Sequence, residues 1–249
     1  FMFVSGYVYC LTSQRKSVEY KSFIWNKFKR LLVPYFFVSI LIITLKLLTE
    51  RGAYLENPVT ADAFFKILYL PTTAGYFLWF AYTLFLIFLT VPFFNSNKKL
   101  LVLLTSAFIL KYLPFTLPAF FGLRQFQNML LFYVLGVALC QYTGLRRAVG
   151  NVHIIWAIVA FAVLYILRHH IDVEYCQAII CLLLALSGIF AVIKFAKILE
   201  HSGKISRVLL NVAGCSYTIY LFHTTFMGFG KAIFVKIYQF TPPIFVKLC

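Results

Sequence analysis

The stretch FIWNKFKRLLVPYFF sets Lys27, Lys29 and Arg30 at the start of an apolar run, just ahead of Pro34. Lys27 and Arg30 are three apart, so on a helix they share one face. A cationic pair at a membrane mouth can hold phosphates, arginine through its bidentate fork and lysine as a point charge. Snorkelling cations that anchor a span account for the same residues. In NVAGCSYTIYLFHTTF, His223 lies well inside an apolar stretch. An imidazole there is costly unless it has a partner or faces a polar cavity, and it can serve as acid, base or hydrogen-bond donor. Ser216, seven residues earlier, falls on nearly the same helix face. A structural histidine bonded to a neighbouring helix is the competing reading.

Other groups carry less. Arg168, His169, His170, Asp172 and Glu174 are close together in sequence, and they read as a solvated interfacial loop, so no metal site is expected. Trp79 in AGYFLWFAYTLF and Arg124 ahead of a later span are candidate cavity residues or interface anchors. The Cys residues are scattered through apolar runs and read as small core residues. G-x-S-x-G, H-E-x-x-H and the P-loop are absent, so hydrolase, zincin and NTPase readings have no support.

The elements that must position these residues follow from composition. With 62% hydrophobic and 12% charged residues among 249, and mean hydropathy +0.89, a water-soluble domain could not cover its surface with polar groups. Long uncharged stretches predict an all-α polytopic membrane bundle of one domain over residues 1–249. Seven complete spans are expected near 31–48, 74–94, 100–119, 126–143, 149–167, 175–199 and 208–230, with partial ones near 1–12 and 232–249. Continuous hydrophobicity excludes the alternating pattern of a barrel strand. The stretch 61–70 reads as a short amphipathic helix at the outer interface.

The net charge of +16 would suggest nucleic acid in a soluble chain; in a membrane chain Lys and Arg gather in cytoplasmic loops, and no nucleic-acid partner is expected. Sorting the cations by alternate loops places the 13–30 loop in the cytoplasm and the 50–73 loop outside. All seven carboxylates fall in loops or at span edges, which counts against an ion-coupled transporter. The chain opens at Phe1 within an apolar run and closes soon after Pro242 and Pro243, so it is expected to be a fragment cut at the N-terminus and also at its C-terminal span.

Taken in order, the pieces resemble the bacterial membrane acyltransferase-3 family, multi-pass O-acyltransferases of surface polysaccharides. FMFVSGYVY is similar to the family's F-x-F-x-S-G-Y stretch, and KFKRLLVPYFF to its basic R-x-x-R segment running into a Pro-containing span. GYFLWFAYTLF is similar to H-L-W-F-L, LLFYVLGVAL to Y-F-x-x-G, and CSYTIYLFH to S-x-x-I-Y-L-x-H. The series covers nearly the whole chain. Two positions depart from it: Lys27 replaces the first Arg of the basic pair, and Phe77 stands where the family often has His.

The resemblance implies transfer of an acyl group, an acetyl group foremost, from cytoplasmic acyl-CoA (acetyl-CoA) to a hydroxyl of a cell-surface or lipid-linked saccharide, in a bacterial cytoplasmic (inner) membrane. It implies no bound cofactor. Lys27, Lys29 and Arg30 would hold the donor phosphates, while His223, Ser216, Trp79 and Arg124 would shape the reaction cavity. The principal histidine would lie on a helix ahead of Phe1, and the chain without it is expected to be inactive. The alternative is a transporter or flippase for a lipid-linked glycan, which would use the same basic mouth to grip a pyrophosphate; a non-catalytic partner of polysaccharide assembly is the third reading.

Overall fold

The structure is a computed structural model that describes residues 1–13, 19–49, 60–94, 96–171, 173–200, 203–223, 226 and 230. Among these there are helices and turns and no strand, as the hydropathy pattern requires. The helices are α1 (Met2–Ser13), α2 (Tyr20–Lys27), α3 (Val33–Thr49), α4 (Ala63–Lys66), α5 (Trp79–Thr90), α6 (Asn97–Lys111) and α7 (Leu123–Gln141). They continue as α8 (Thr143–Asn151), α9 (Ile154–His170), α10 (Glu174–Glu200), α11 (Gly203–Gly214) and α12 (216–223).

Three runs are long and apolar enough to cross a bilayer, Tyr20–Leu48, Phe120–Gln141 and Cys176–Glu200; the bent pair α8 and α9 makes a fourth. The chain is an integral membrane protein by these helices, and among the described residues the seven expected spans do not appear as seven long helices. The expected 74–94 span appears as a shorter apolar helix over Trp79–Phe93, and three other runs break at identifiable residues. The 100–119 run ends as helix at Lys111, because Pro114 and Pro118 lie just beyond and Tyr112 already leaves helical geometry. The 149–167 run breaks by 85°: Val152 and His153 are extended, and the His153 ring accepts the Ile155 amide as the cap of α9. The 208–230 run is interrupted at Gly214 and Cys215 between α11 and α12. The expected partial span at 232–249, the 50–59 part of the outer loop and Asp172 lie outside the described residues.

The chain divides into two units. The first contains α1, α6, most of α7, α8, α9, α10 and most of α11. Within it α1 and α7 touch backbone to backbone. A Cβ on Gly6 would collide with the Tyr133 carbonyl, and one on Gly136 with the Phe3 carbonyl. Only glycine at both places admits that approach, a device typical of membrane helices. Asn97, opening α6, is held by the Gln141 amide at 2.5 Å and by the Tyr142 hydroxyl at 3.2 Å. The outer flanks of α9 and α10 are apolar and exposed, Trp156, Ile166 and Phe195 among them, as lipid-facing surfaces are.

The second unit contains α2 to α5, the 116–126 segment and α12. Its core joins Leu32, Tyr35, Val38 and Ile43 with Ala63, Ile67, Leu78, Ala81 and Leu221. The 61–70 stretch is amphipathic as expected, with Ala63 and Ile67 buried and Phe65 and Leu68 exposed, though its regular helix is limited to α4. Three bonds fix it: Tyr35 hydroxyl to Ile67 carbonyl at 2.9 Å, Tyr82 hydroxyl to Leu68 carbonyl at 3.1 Å, and Phe121 amide to Tyr69 carbonyl at 2.6 Å.

Candidate functional site: a basic π-turn braced by an aromatic helix

The candidate donor-binding and cavity residues all fall in the second unit. Between α2 and α3 the backbone makes a π-turn over Phe28–Leu32, in which the Val33 amide bonds the Phe28 carbonyl five residues back. Pro34 gives the reason. It has no N–H to offer the carbonyls four and five residues earlier, those of Arg30 and Lys29, and its ring crowds the turn before it. Widening that turn lets the chain continue as α3 without a sharp kink, and π-turns of this kind gather at functional sites.

The turn separates the environments of the three cations. Lys27 is half-buried, its ammonium 4.2 Å from the Phe88 ring centroid and 5.3 Å from that of Phe23. Lys29 is exposed, 5.1 Å from the centroid of Trp25, whose indole is stacked with Phe28 at 5.5 Å and 4°. Arg30 is exposed, and among the described residues it has no hydrogen bond or ion pair. Cation–π contact stabilises Lys27 where it stands, so Arg30 is the cation freest to meet an incoming anion.

α12 is tied to this turn. The Tyr217 hydroxyl donates to the Leu31 carbonyl at 2.9 Å, and the Tyr220 hydroxyl donates to the Phe77 carbonyl at the start of α5. Tyr217, Tyr220 and His223 recur every three residues and so lie along one side of the helix. The Tyr220 ring stands edge-on to Phe77 and Phe80 at 6.0 and 5.2 Å.

His223 is exposed, with its ring edge-on to Phe77 at 5.1 Å. Its Nδ1 lies 2.6 Å from the Tyr220 carbonyl. A carbonyl oxygen only accepts, so that contact places the proton on Nδ1 and leaves the Nε2 lone pair free. Ser216, exposed at the start of α12, is seven residues or roughly 10 Å along the axis from His223 and does not reach it. Trp79 is half-buried beside Phe80, with centroids 6.2 Å apart. Arg124 is exposed on the first turn of α7, its Nε donating to the Leu117 carbonyl at 3.4 Å.

The structure thus joins His223 to the aromatic stretch through Phe77, and α12 to the basic turn through Tyr217; Arg124 and Ser216 stand apart from both contacts. The S-x-x-I-Y-L-x-H pattern includes Tyr220 but passes over Tyr217, and it gives the bonding partner of neither. Their spacing with His223 is the signal that could have found them.

The arrangement can grip an anionic group at Arg30 and Lys29 and present one basic nitrogen at His223. The chain matches the family model for the acyltransferase-3 family, described as an acyltransferase domain, over residues 1–249. It belongs to that family and is a membrane acyltransferase. Searches of curated proteins and of solved structures return no match.

Proposed function

We propose that this membrane acyltransferase takes an acyl group, an acetyl group foremost, from acyl-CoA and esterifies a hydroxyl of a cell-surface or lipid-linked saccharide. The observation that carries the reading is the bond from Tyr217 to Leu31, which ties the anion-gripping turn to the helix bearing His223. In this reading Arg30 grips the donor phosphates through its fork, with Lys29 and Lys27 as point charges. The acceptor oxygen attacks the thioester carbonyl, the carbon–sulfur bond breaks, and the sulfur leaves as thiolate and takes up the acceptor's proton. His223, with Nε2 available, supports that transfer, while Trp79, Arg124 and Ser216 shape the cavity. The protein is assigned to a bacterial cytoplasmic membrane, with the 13–30 loop in the cytoplasm.

Binding of acetyl-CoA to the protein in nanodiscs, measured for the native chain and for Lys27→Met/Arg30→Gln, tests the donor site. The double substitution is expected to weaken binding at least tenfold. Unchanged affinity would remove the donor assignment.

A further inference from the structure

The first unit contains a cavity of about 300 Å³ at the C-terminal end of α6, walled by α7 and α10. No residue of the basic turn or of α12 lines it, and a role for it is independent of acyl transfer. Lys111, the last residue of α6, lines it, with its ammonium 5.0 Å from the Phe132 centroid. A lysine that merely complements its own helix end would bond the carbonyls of α6. Lys111 donates instead to the Asn128 carbonyl of α7, at 3.3 Å, and two of its three hydrogens remain. Among the described side chains no carboxylate pairs with it.

Tyr112, the next residue, lines the same cavity. Its ring lies 4.9 Å from Phe108, and its hydroxyl is buried with no hydrogen-bond partner among the described residues. A buried phenol oxygen and an ammonium, neither with an acidic partner among the described side chains, match a ligand that carries negative charge on acceptor oxygens. Cys181 and Leu182 of α10 complete the wall. Ile179 and Leu183, next in sequence to the lining residues Ala178 and Leu182 and so about 100° further round α10, are exposed on a helix whose apolar window is only 11% buried. Lys111 and Tyr112 sit at the C-terminal end of α6, where a span reaches the level of headgroups, and the neighbouring α10 exposes apolar surface beside them.

We propose that this cavity binds a phosphate anion, and that its source is a phospholipid: the phosphodiester accepts from Lys111 and Tyr112 while the acyl chains run along Ile179 and Leu183. A half-buried ammonium beside a buried phenol oxygen suits the anion, and the flank of α10 distinguishes a lipid from a soluble phosphate.

The test uses the full protein, exchanged into detergent with phosphatidylglycerol or with uncharged diacylglycerol, and reads retained lipid by native mass spectrometry. The native chain is expected to retain phosphatidylglycerol and not diacylglycerol. Lys111→Met and Tyr112→Phe should each cut retention at least fivefold, and Lys111→Arg should restore it. Equal retention by the native chain and Tyr112→Phe overturns the proposal even if Lys111→Met fails to fold, because the Phe variant removes a single oxygen. Inorganic phosphate at millimolar concentration should leave the lipid in place; displacement by phosphate alone would make this a soluble-anion site and overturn the lipid assignment.

Discussion

The hydroxyl of Tyr217 lies 2.9 Å from the carbonyl of Leu31, so a side chain of α12 adds a hydrogen bond at the turn, one residue beyond the Lys29 and Arg30 carbonyls that Pro34 leaves without its amide. Two segments that resemble separate family motifs, the basic stretch and the S-x-x-I-Y-L-x-H helix, are one structure at this point.

Tyr217→Phe removes that bond and little else. The variant is expected to lose about 1 kcal/mol of stability, and its Michaelis constant for the acyl donor should rise several-fold while the maximal rate changes less. Steady-state kinetics against donor concentration check this; a fall in maximal rate alone would place Tyr217 with the chemistry rather than with the donor grip.

Arg30 should dominate donor affinity over Lys27, since Lys27 rests on Phe88 and Phe23 while Arg30 has no partner among the described residues. Calorimetric titration with acetyl-CoA is expected to show about a tenfold loss for Arg30→Gln, equivalent to about 1.4 kcal/mol. Lys27→Met, whose side chain still packs on the rings, should lose less. The reverse order would reassign the principal contact.

His223→Gln keeps a polar side chain beside Phe77 but has no basic nitrogen to replace Nε2. Acyl transfer is expected to fall by about 100-fold, within the usual reach of acid–base assistance, while acetyl-CoA affinity stays within twofold. Parallel loss of binding would show that His223 maintains the donor site.

Gly136→Ala drives a methyl group into the Phe3 carbonyl, a contact that neither backbone can yield easily. The expected cost is about 1–3 kcal/mol, as for other overpacked sites, read as a lower melting temperature in detergent. A variant as stable as the native chain would mean that α1 and α7 can separate without penalty.

Asp62 and Lys66 form an ion pair at α4, and Thr60 also donates to the Asp62 carboxylate. The Lys66 bond, then that of Thr60, holds the Asp62 carboxyl below its ordinary range. A carboxyl depressed in the folded state contributes stability above its unfolded value, near pH 4, and loses it as pH falls through the folded value. Because both side chains are solvent-accessible the effect is small. Melting curves of the native chain and Asp62→Asn should differ at neutral pH and converge below about pH 4; a constant gap would show that the pair does not titrate as a unit.

Hydropathy alone made the helical membrane class legible, because long uncharged runs such as Val33–Thr49 admit few alternatives. The breaks were harder to see. Val152 and His153 carry no proline or glycine, and their extended geometry comes from a histidine capping the following helix, a role that residue type does not announce. The basic segment was legible as a cluster of charges but not as a π-turn, since the shared face expected of Lys27 and Arg30 assumes α-helical spacing. The aromatic ties from Tyr217 and Tyr220 depend on which helices become neighbours, and the i, i+3 pattern says only that they share a side.

The bond from Tyr217 to Leu31 spans 186 positions of sequence. At about 5–20 residues per second of synthesis, the basic turn therefore waits roughly 10–40 s for its brace after Leu31 is made. During that interval the nascent chain already carries all three cations, while the turn has its contacts with α2 and α5 but not the bond from α12. A chain arrested before residue 217 would keep the charges and lack the brace, so elongation itself orders when the mouth becomes whole.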